Sequence, residues 1–213
     1  MAQGLDLTHL DTWIRPHVPE FQGPLTAEKF SGGQSNPTFK LTAGDRQYVL
    51  RRKPQGTLLA SAHAVDREFK VLSALSSTNV PVPVPVALCE DETIIGSMFY
   101  VMEYLEGRIF WDPALPEVND ADRGEIYDQM NQVLATMHNI DIHAVGLSDY
   151  GKPGNYFERQ IGRWTKQYRA AETTRIAAME KLIEWLPNHM PEDDGRVSLV
   201  HGDYRLDNMI FHP

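Results

Sequence analysis

Leu199-Val200-His201-Gly202-Asp203-Tyr204-Arg205-Leu206-Asp207-Asn208-Met209-Ile210-Phe211 runs from an apolar pair through a polar loop into a second apolar run, with Asp203 and Asn208 five positions apart inside it. Transfer of a phosphoryl group requires a carboxylate that orients the attacking hydroxyl and accepts its proton, and an oxygen ligand that holds magnesium on the phosphates. Asp203 and Asn208 have that chemistry at a workable spacing. The plainer alternative is a turn between two strands, since Gly and Asp are ordinary turn residues and a lone His-Gly-Asp occurs by chance. His201 is expected to support the loop backbone by hydrogen bonding and not to act in catalysis.

Upstream of this loop the chain reads as helix. Ile126, Met130, Val133, Leu134 and Met137 form one stripe after Asp120, and a second helix begins near Tyr156. In that second helix Phe157, Ile161, Trp164 and Tyr168 share a face expected to pack into the helical lobe, while Arg159, Arg163, Lys166 and Arg169 make a basic stripe opposite. The stripe reads as a solvated face with carboxylate counterions; the alternative is a surface that receives phosphates.

The first half has a different texture. Leu5, Leu10, Trp13 and Ile14 suggest a short amphipathic helix ending near Pro16. A β-like segment ends at Phe30, and a polar glycine loop covers Ser31, Gly32, Gly33, Gln34, Ser35 and Asn36. Strands follow at 38–42 and 48–51 around an Ala43-Gly44-Asp45 turn. Val65, Phe69, Leu72 and Leu75 mark a helix with Glu68 beside its apolar stripe, and the Val-Pro alternation from Val80 to Val86 marks an extended connector. Two more strands are placed around 87–89 and 98–102, with a hinge at 103–107. Strands first and helices second give an α+β, two-lobed architecture. Residues 1–104 are expected to form a β-rich N-terminal lobe with its helix, and 105–213 the start of a mostly helical catalytic lobe.

Composition narrows the partners. Of 213 residues, 42% are hydrophobic, enough for a sizeable core. Asp and Glu number 29 against 20 Lys and Arg, a balance that repels nucleic acid and anionic membrane. The N-terminus shows no signal-peptide pattern and no stretch is long and apolar enough to span a bilayer. One cysteine, Cys89, cannot form an internal disulfide, which fits a reducing, cytoplasmic setting.

Together these segments carry a resemblance. His201-Gly202-Asp203 with Asn208 resembles the catalytic loop of the aminoglycoside phosphotransferase and choline kinase superfamily, whose two lobes are similar to those of protein kinases. The Ser31 to Asn36 loop, Tyr48-Val49-Leu50-Arg51-Arg52-Lys53-Pro54, the segment from Ala62 to Glu68, Phe99-Tyr100-Val101-Met102-Glu103-Tyr104 and Arg163-Trp164-Thr165-Lys166-Gln167-Tyr168 are similar to one branch, the kinase-like domain found alone in bacteria and fused to some acyl-CoA dehydrogenases in animals.

The resemblance implies ATP and Mg as cofactors and a small-molecule hydroxyl as acceptor, with a hydroxyacyl-CoA or related hydroxy compound suggested by the branch and an acyl-CoA dehydrogenase as a partner. Residues 31–36 would close over the phosphates through backbone N–H groups. Arg51 falls where such kinases carry a lysine on the phosphates, paired with Glu68; arginine is a planar fork and lysine a point charge, so the phosphate geometry must differ. Lys53 is the reserve. Met102, Glu103 and Leu105 would belong to the hinge that hydrogen-bonds adenine through the backbone, with Met102 lining the pocket. Asp203 would be the catalytic base and Asn208 a magnesium ligand. A second metal-binding aspartate is expected beyond residue 213, so the catalytic lobe is expected to be truncated and the isolated chain inactive. A catalytically silent nucleotide-binding module is the competing reading, and a metal-dependent hydrolase using His201 and Asp203 a remote third.

Overall fold

The fold follows from the run of short strands in the first half. The computed structural model describes residues 4–31, 36–54 and 64–212. Helix α1 (Leu7–His17) precedes three strands, β1 (Leu25–Lys29), β2 (Thr38–Ala43) and β3 (Arg46–Arg52). Helix α2 (Val65–Leu75) leads to β4 (Pro85–Cys89) and β5 (Phe99–Glu103). Helices α3 (Asp120–His138), α4 (Tyr156–Ala171) and α5 (Ala177–Trp185) follow, with short 3₁₀ turns at Leu186–Asn188 and Leu206–Asn208. The strands form one sheet in the order β1-β2-β3-β5-β4, antiparallel at every pairing. Mixed α+β architecture is thus what the chain adopts.

Alternation assigns the two sheet faces. Phe39, Leu50 and Val101 are cross-strand partners and almost fully buried, and α1 adds Leu10 and Ile14 to the same core. Trp13 of α1 meets Phe99 edge-on at 4.9 Å between ring centroids. On the other face, Arg51 pairs with Thr38 on one side and Tyr100 on the other, and α2 packs there against β4 and β5. Phe69 of α2 meets the Tyr100 ring at 6.1 Å. The apolar face is therefore closed by α1, and the polar positions open toward α2.

Local details depart from the sequence reading in three places. Leu5 lies outside α1: Asp6 is the N-cap, accepting the N–H groups of Thr8 and His9 at 3.1 Å each. Leu5 and Leu10 flank the cap in the N′ and N4 positions and are both fully buried, the arrangement of a hydrophobic staple. The hydrogen bond from His9 holds the Asp6 carboxyl below its ordinary pKa. Ala43 stays in β2 opposite Arg46, so the turn is only Gly44-Asp45, with Gly44 at φ +58°. The third concerns α4. Phe157 is 50% exposed and Trp164 60%, and no residue of α4 is buried. Periodicity identifies an apolar face but carries no information about what covers it.

Two compact units emerge among the described residues, one comprising residues up to Asn139 together with the segment from Val200, the other Ile140–Leu199. The first holds the sheet, α1 to α3 and the loop around Asp203. A second small core in this unit joins Leu115, Ile126 and Leu206, with Met130 and Phe211 against it. The second unit holds α4 and α5, which Arg169 ties together by donating to Glu180 at 2.8 Å.

Candidate active site

Two clusters of the expected residues form in the unit that carries the sheet. The first centres on Glu68. Alternation along β3 brings Arg51 to the α2 face, where its Nε stands 2.9 Å from Glu68 Oε2. This is an ion contact without hydrogen-bond alignment, since Arg51 Nε has no hydrogen-bonded partner. Both side chains are about one-third exposed, 34% and 33%. Asn36 donates its amide to Glu68 Oε1 at 2.8 Å, and the Tyr100 hydroxyl donates to Oε2 at 3.1 Å. Burial, then the Glu68 carboxylate, push the Tyr100 phenol far above its ordinary pKa, so it remains a donor.

Asn36 closes the glycine loop. The loop is pinched at its base, where Phe30 N–H donates to Thr38 O at 3.1 Å, and the Thr38 hydroxyl donates to Asn36 O at 3.0 Å. Ser31 is exposed at the start of the loop; Gly32, Gly33, Gln34 and Ser35 lie outside the described residues. Met102, two positions after Tyr100, falls by alternation on the Arg51 face. Glu103 differs: its N–H donates to Val84 O at 2.9 Å and its carboxylate accepts Val84 N–H at 2.8 Å, which clamps the Val-Pro connector. Leu105, two residues beyond β5, is half-buried.

The second cluster is the polar loop. Asn208 Nδ2 donates to Asp203 Oδ2 at 3.0 Å and to the Asp203 carbonyl at 2.9 Å. The 3₁₀ turn at Leu206–Asn208 produces this closure, anchored by buried Leu206 below. Arg205 Nε lies 3.2 Å from Asp203 Oδ1, while its Nη2 donates to Asp207 Oδ2 at 2.8 Å. His201 Nδ1 accepts the Asp203 N–H at 3.3 Å, the supporting bond expected of it. Tyr204 reaches back to α3, donating to Met130 O at 2.7 Å. Among the described residues beyond the loop there is no regular strand; a bridge pairs Phe211 with Arg108, with N–H to O distances of 2.8 and 2.9 Å in the two directions.

Asp203 is 63% exposed at its side chain. Asn208 Nδ2 is taken up by Asp203, which leaves Oδ1 as the oxygen that Asn208 could offer a cation. Such oxygen donors suit magnesium, which keeps several waters and shares its remaining sites with phosphates. No group of three or more His, Cys, Asp or Glu gathers into a metal cage among the described residues.

Two contacts escaped the sequence reading. Arg205 sits two positions from each of two carboxylates, a signal present in the sequence. Tyr100 becomes visible only through the β3–β5 register, which places it beside Arg51.

Comparison with known proteins gives the chain's relatives. The model of the phosphotransferase enzyme family, APH, matches residues 26–213. Mouse acyl-CoA dehydrogenase family member 10 is 55% identical over 191 residues, 90% of this chain but only 18% of that protein. A Ralstonia eutropha crystal structure, described as that of a candidate aminoglycoside phosphotransferase, superposes with a TM-score of 0.87 at 53% identity, covering 98% of this chain and 61% of that one. The ternary complex of APH(2")-IIa with streptomycin and ATP shares the fold, with a TM-score of 0.63 at 19% identity, covering 98% of this chain and 68% of that one. No helix among the described residues is long and apolar enough to cross a membrane.

Proposed function

Because the chain belongs to the phosphotransferase enzyme family and has the fold of aminoglycoside kinases, we propose that it is the ATP- and magnesium-dependent kinase part of a protein that phosphorylates the hydroxyl of a small molecule. The observation that carries this reading is the Asp203–Asn208 pair, a carboxylate and an amide oxygen held together on an open loop. Asp203 would accept the proton of the acceptor hydroxyl as the hydroxyl oxygen bonds to the γ-phosphorus and the bond to the β–γ bridging oxygen breaks, releasing ADP. Asn208 Oδ1 would hold magnesium, which when bound would neutralise charge on the phosphates. Arg51, steadied by Glu68, would contact the phosphates under the 31–36 loop, and the 102–105 segment would take adenine through its backbone. The 2.9 Å Arg51–Glu68 contact supports arginine in the lysine's role over the silent-module reading. Residues 1–104 and 105–213 would then be the N-terminal lobe and the start of the catalytic lobe, in a cytoplasmic protein.

The acceptor class rests on the relatives named as acyl-CoA dehydrogenases, which favour a hydroxyacyl-CoA or related hydroxy compound and a dehydrogenase as partner. The test is calorimetric titration of the 213-residue chain with ATP, with and without magnesium, followed by mass-spectrometric detection of phosphate transfer by the full-length protein to a panel of hydroxyacyl-CoA esters. Few hard donors gather here, so weak ATP binding that changes less than about threefold on adding magnesium is expected. No ATP binding would sink the kinase reading, and strong magnesium enhancement would overturn the assigned donor set.

The basic stripe of α4 is read as structural. Arg159 donates to the carbonyls of Lys152 and Gly154, Arg163 donates to Gln160 at 2.6 Å, and Arg169 holds Glu180 and Glu172. A CoA phosphate would have to displace these partners. Changing Arg159 and Arg163 together to Gln is expected to leave the Michaelis constants for ATP and for an acyl-CoA acceptor within about twofold, as for exposed pairs of small net worth. A rise for the acceptor alone that shrinks at high salt would reinstate phosphate binding by the stripe.

A further inference from the structure

We propose that Tyr100 and Asn36 are positioning residues for nucleotide binding, acting through the Glu68 carboxylate on Arg51; the inference rests on the role proposed above for Arg51 at the phosphates. An ionised carboxylate has about four lone-pair sites, and a single unaligned ion contact leaves it free to turn. Here each oxygen is held from a different element: Oε1 by the Asn36 amide at the end of the glycine loop, Oε2 by the Tyr100 hydroxyl on β5. Both donors are themselves fixed. Tyr100 is 2% exposed with Phe69 against its ring, and Asn36 is 4% exposed. The Arg51 contact is made at Nε, the inner nitrogen, so the two Nη groups lie farther out along the side chain.

The carboxylate thus joins the glycine loop, the β3 arginine and the strand that leads to the hinge. Loss of the Tyr100 hydroxyl leaves Arg51 as the partner of Oε2, and the guanidinium is drawn toward Glu68 in place of a phosphate. Loss of the Asn36 amide frees Oε1 and the end of the loop together. A purely structural network would stabilise the packing of α2 on the sheet without favouring the nucleotide-binding geometry.

The experiment is ATP titration calorimetry on the 213-residue chain, with thermal melts, for wild type, Tyr100→Phe, Asn36→Ala, Glu68→Gln and the two double variants that include Glu68→Gln. Tyr100→Phe and Asn36→Ala are each expected to weaken ATP binding ~5–10-fold, the scale of one hydrogen bond to a charged group partly transmitted. In the Glu68→Gln background the same changes should cost less than about twofold, because their route to Arg51 has been removed. Equal losses with and without Glu68, or wild-type affinity in both single variants, overturn the inference while leaving the kinase reading in place. No ATP binding by the wild-type chain overturns that reading, and this inference with it. Either single variant suffices if the other melts below the assay temperature.

Discussion

Replacing Asp203 by asparagine is expected to lower kcat for phosphoryl transfer by ~10²–10⁴-fold, the contribution of a positioned general base, while ATP affinity stays within about twofold. An amide has nearly the shape of a carboxylate and keeps one oxygen as an acceptor, so the 3.0 Å bond from Asn208 Nδ2 can re-form, and the bond to the Asp203 carbonyl is untouched. The loop therefore retains its closure. What disappears is the basic oxygen and the charge facing Arg205 Nε at 3.2 Å. The carboxylate works on the acceptor hydroxyl, whereas Arg51 and the glycine loop are assigned to the nucleotide, so kcat and ATP binding should separate. Steady-state turnover of the full-length protein, with ATP binding measured in parallel, decides it. Turnover near the wild-type rate would remove Asp203 from the base role, and a parallel collapse of ATP affinity would assign it to the nucleotide.

The legible part of this fold was the part written in short periods. The strands at 38–42 and 48–51 were legible as short runs around a turn, though not which of their faces is buried, and the helical stretch from Asp120 was legible to its first residue. Asp203 and Asn208 were legible because the five-residue spacing closes within a single loop. Long-range register was not legible. Nothing in the local sequence says that Tyr100 stands beside Arg51, or that Glu103 turns its carboxylate back to Val84 N–H. These depend on which strands pair and by what offset, and a one-residue slip would send Tyr100 to the opposite face. The half-exposed apolar face of α4 belongs to the same class, because amphipathicity names a face without naming its partner.

Gly107→Ala should destabilise the protein by about 2–3 kcal/mol, although alanine is ordinarily the better residue for an ordered backbone. A β-carbon at 107 would clash with Ile210 Cγ2 and stand 2.5 Å from the Phe211 carbonyl oxygen. Ile210 is 47% exposed and can rotate aside. The carbonyl cannot: it accepts the Arg108 N–H at 2.8 Å, and Phe211 N–H donates back at 2.9 Å, so relief requires moving the backbone of the bridge. Each of those hydrogen bonds is worth about 0.5–1.5 kcal/mol, and Phe211 also packs beside Leu206 under the polar loop. Gly124 supplies the control. It lies inside α3, and a β-carbon there would meet nothing within 4 Å, so Gly124→Ala should stabilise by about 0.5–1 kcal/mol through helix propensity alone. Urea unfolding of the two variants beside wild type gives opposite shifts of the midpoint if residue 107 is glycine for space. A Gly107→Ala midpoint at or above wild type would mean that the segment after β5 and the exit of the catalytic loop do not lie against each other as described. Since that bridge joins the end of the proposed adenine-binding segment to the exit of the loop bearing Asp203, Gly107→Ala should also lower turnover below the level its folded fraction accounts for.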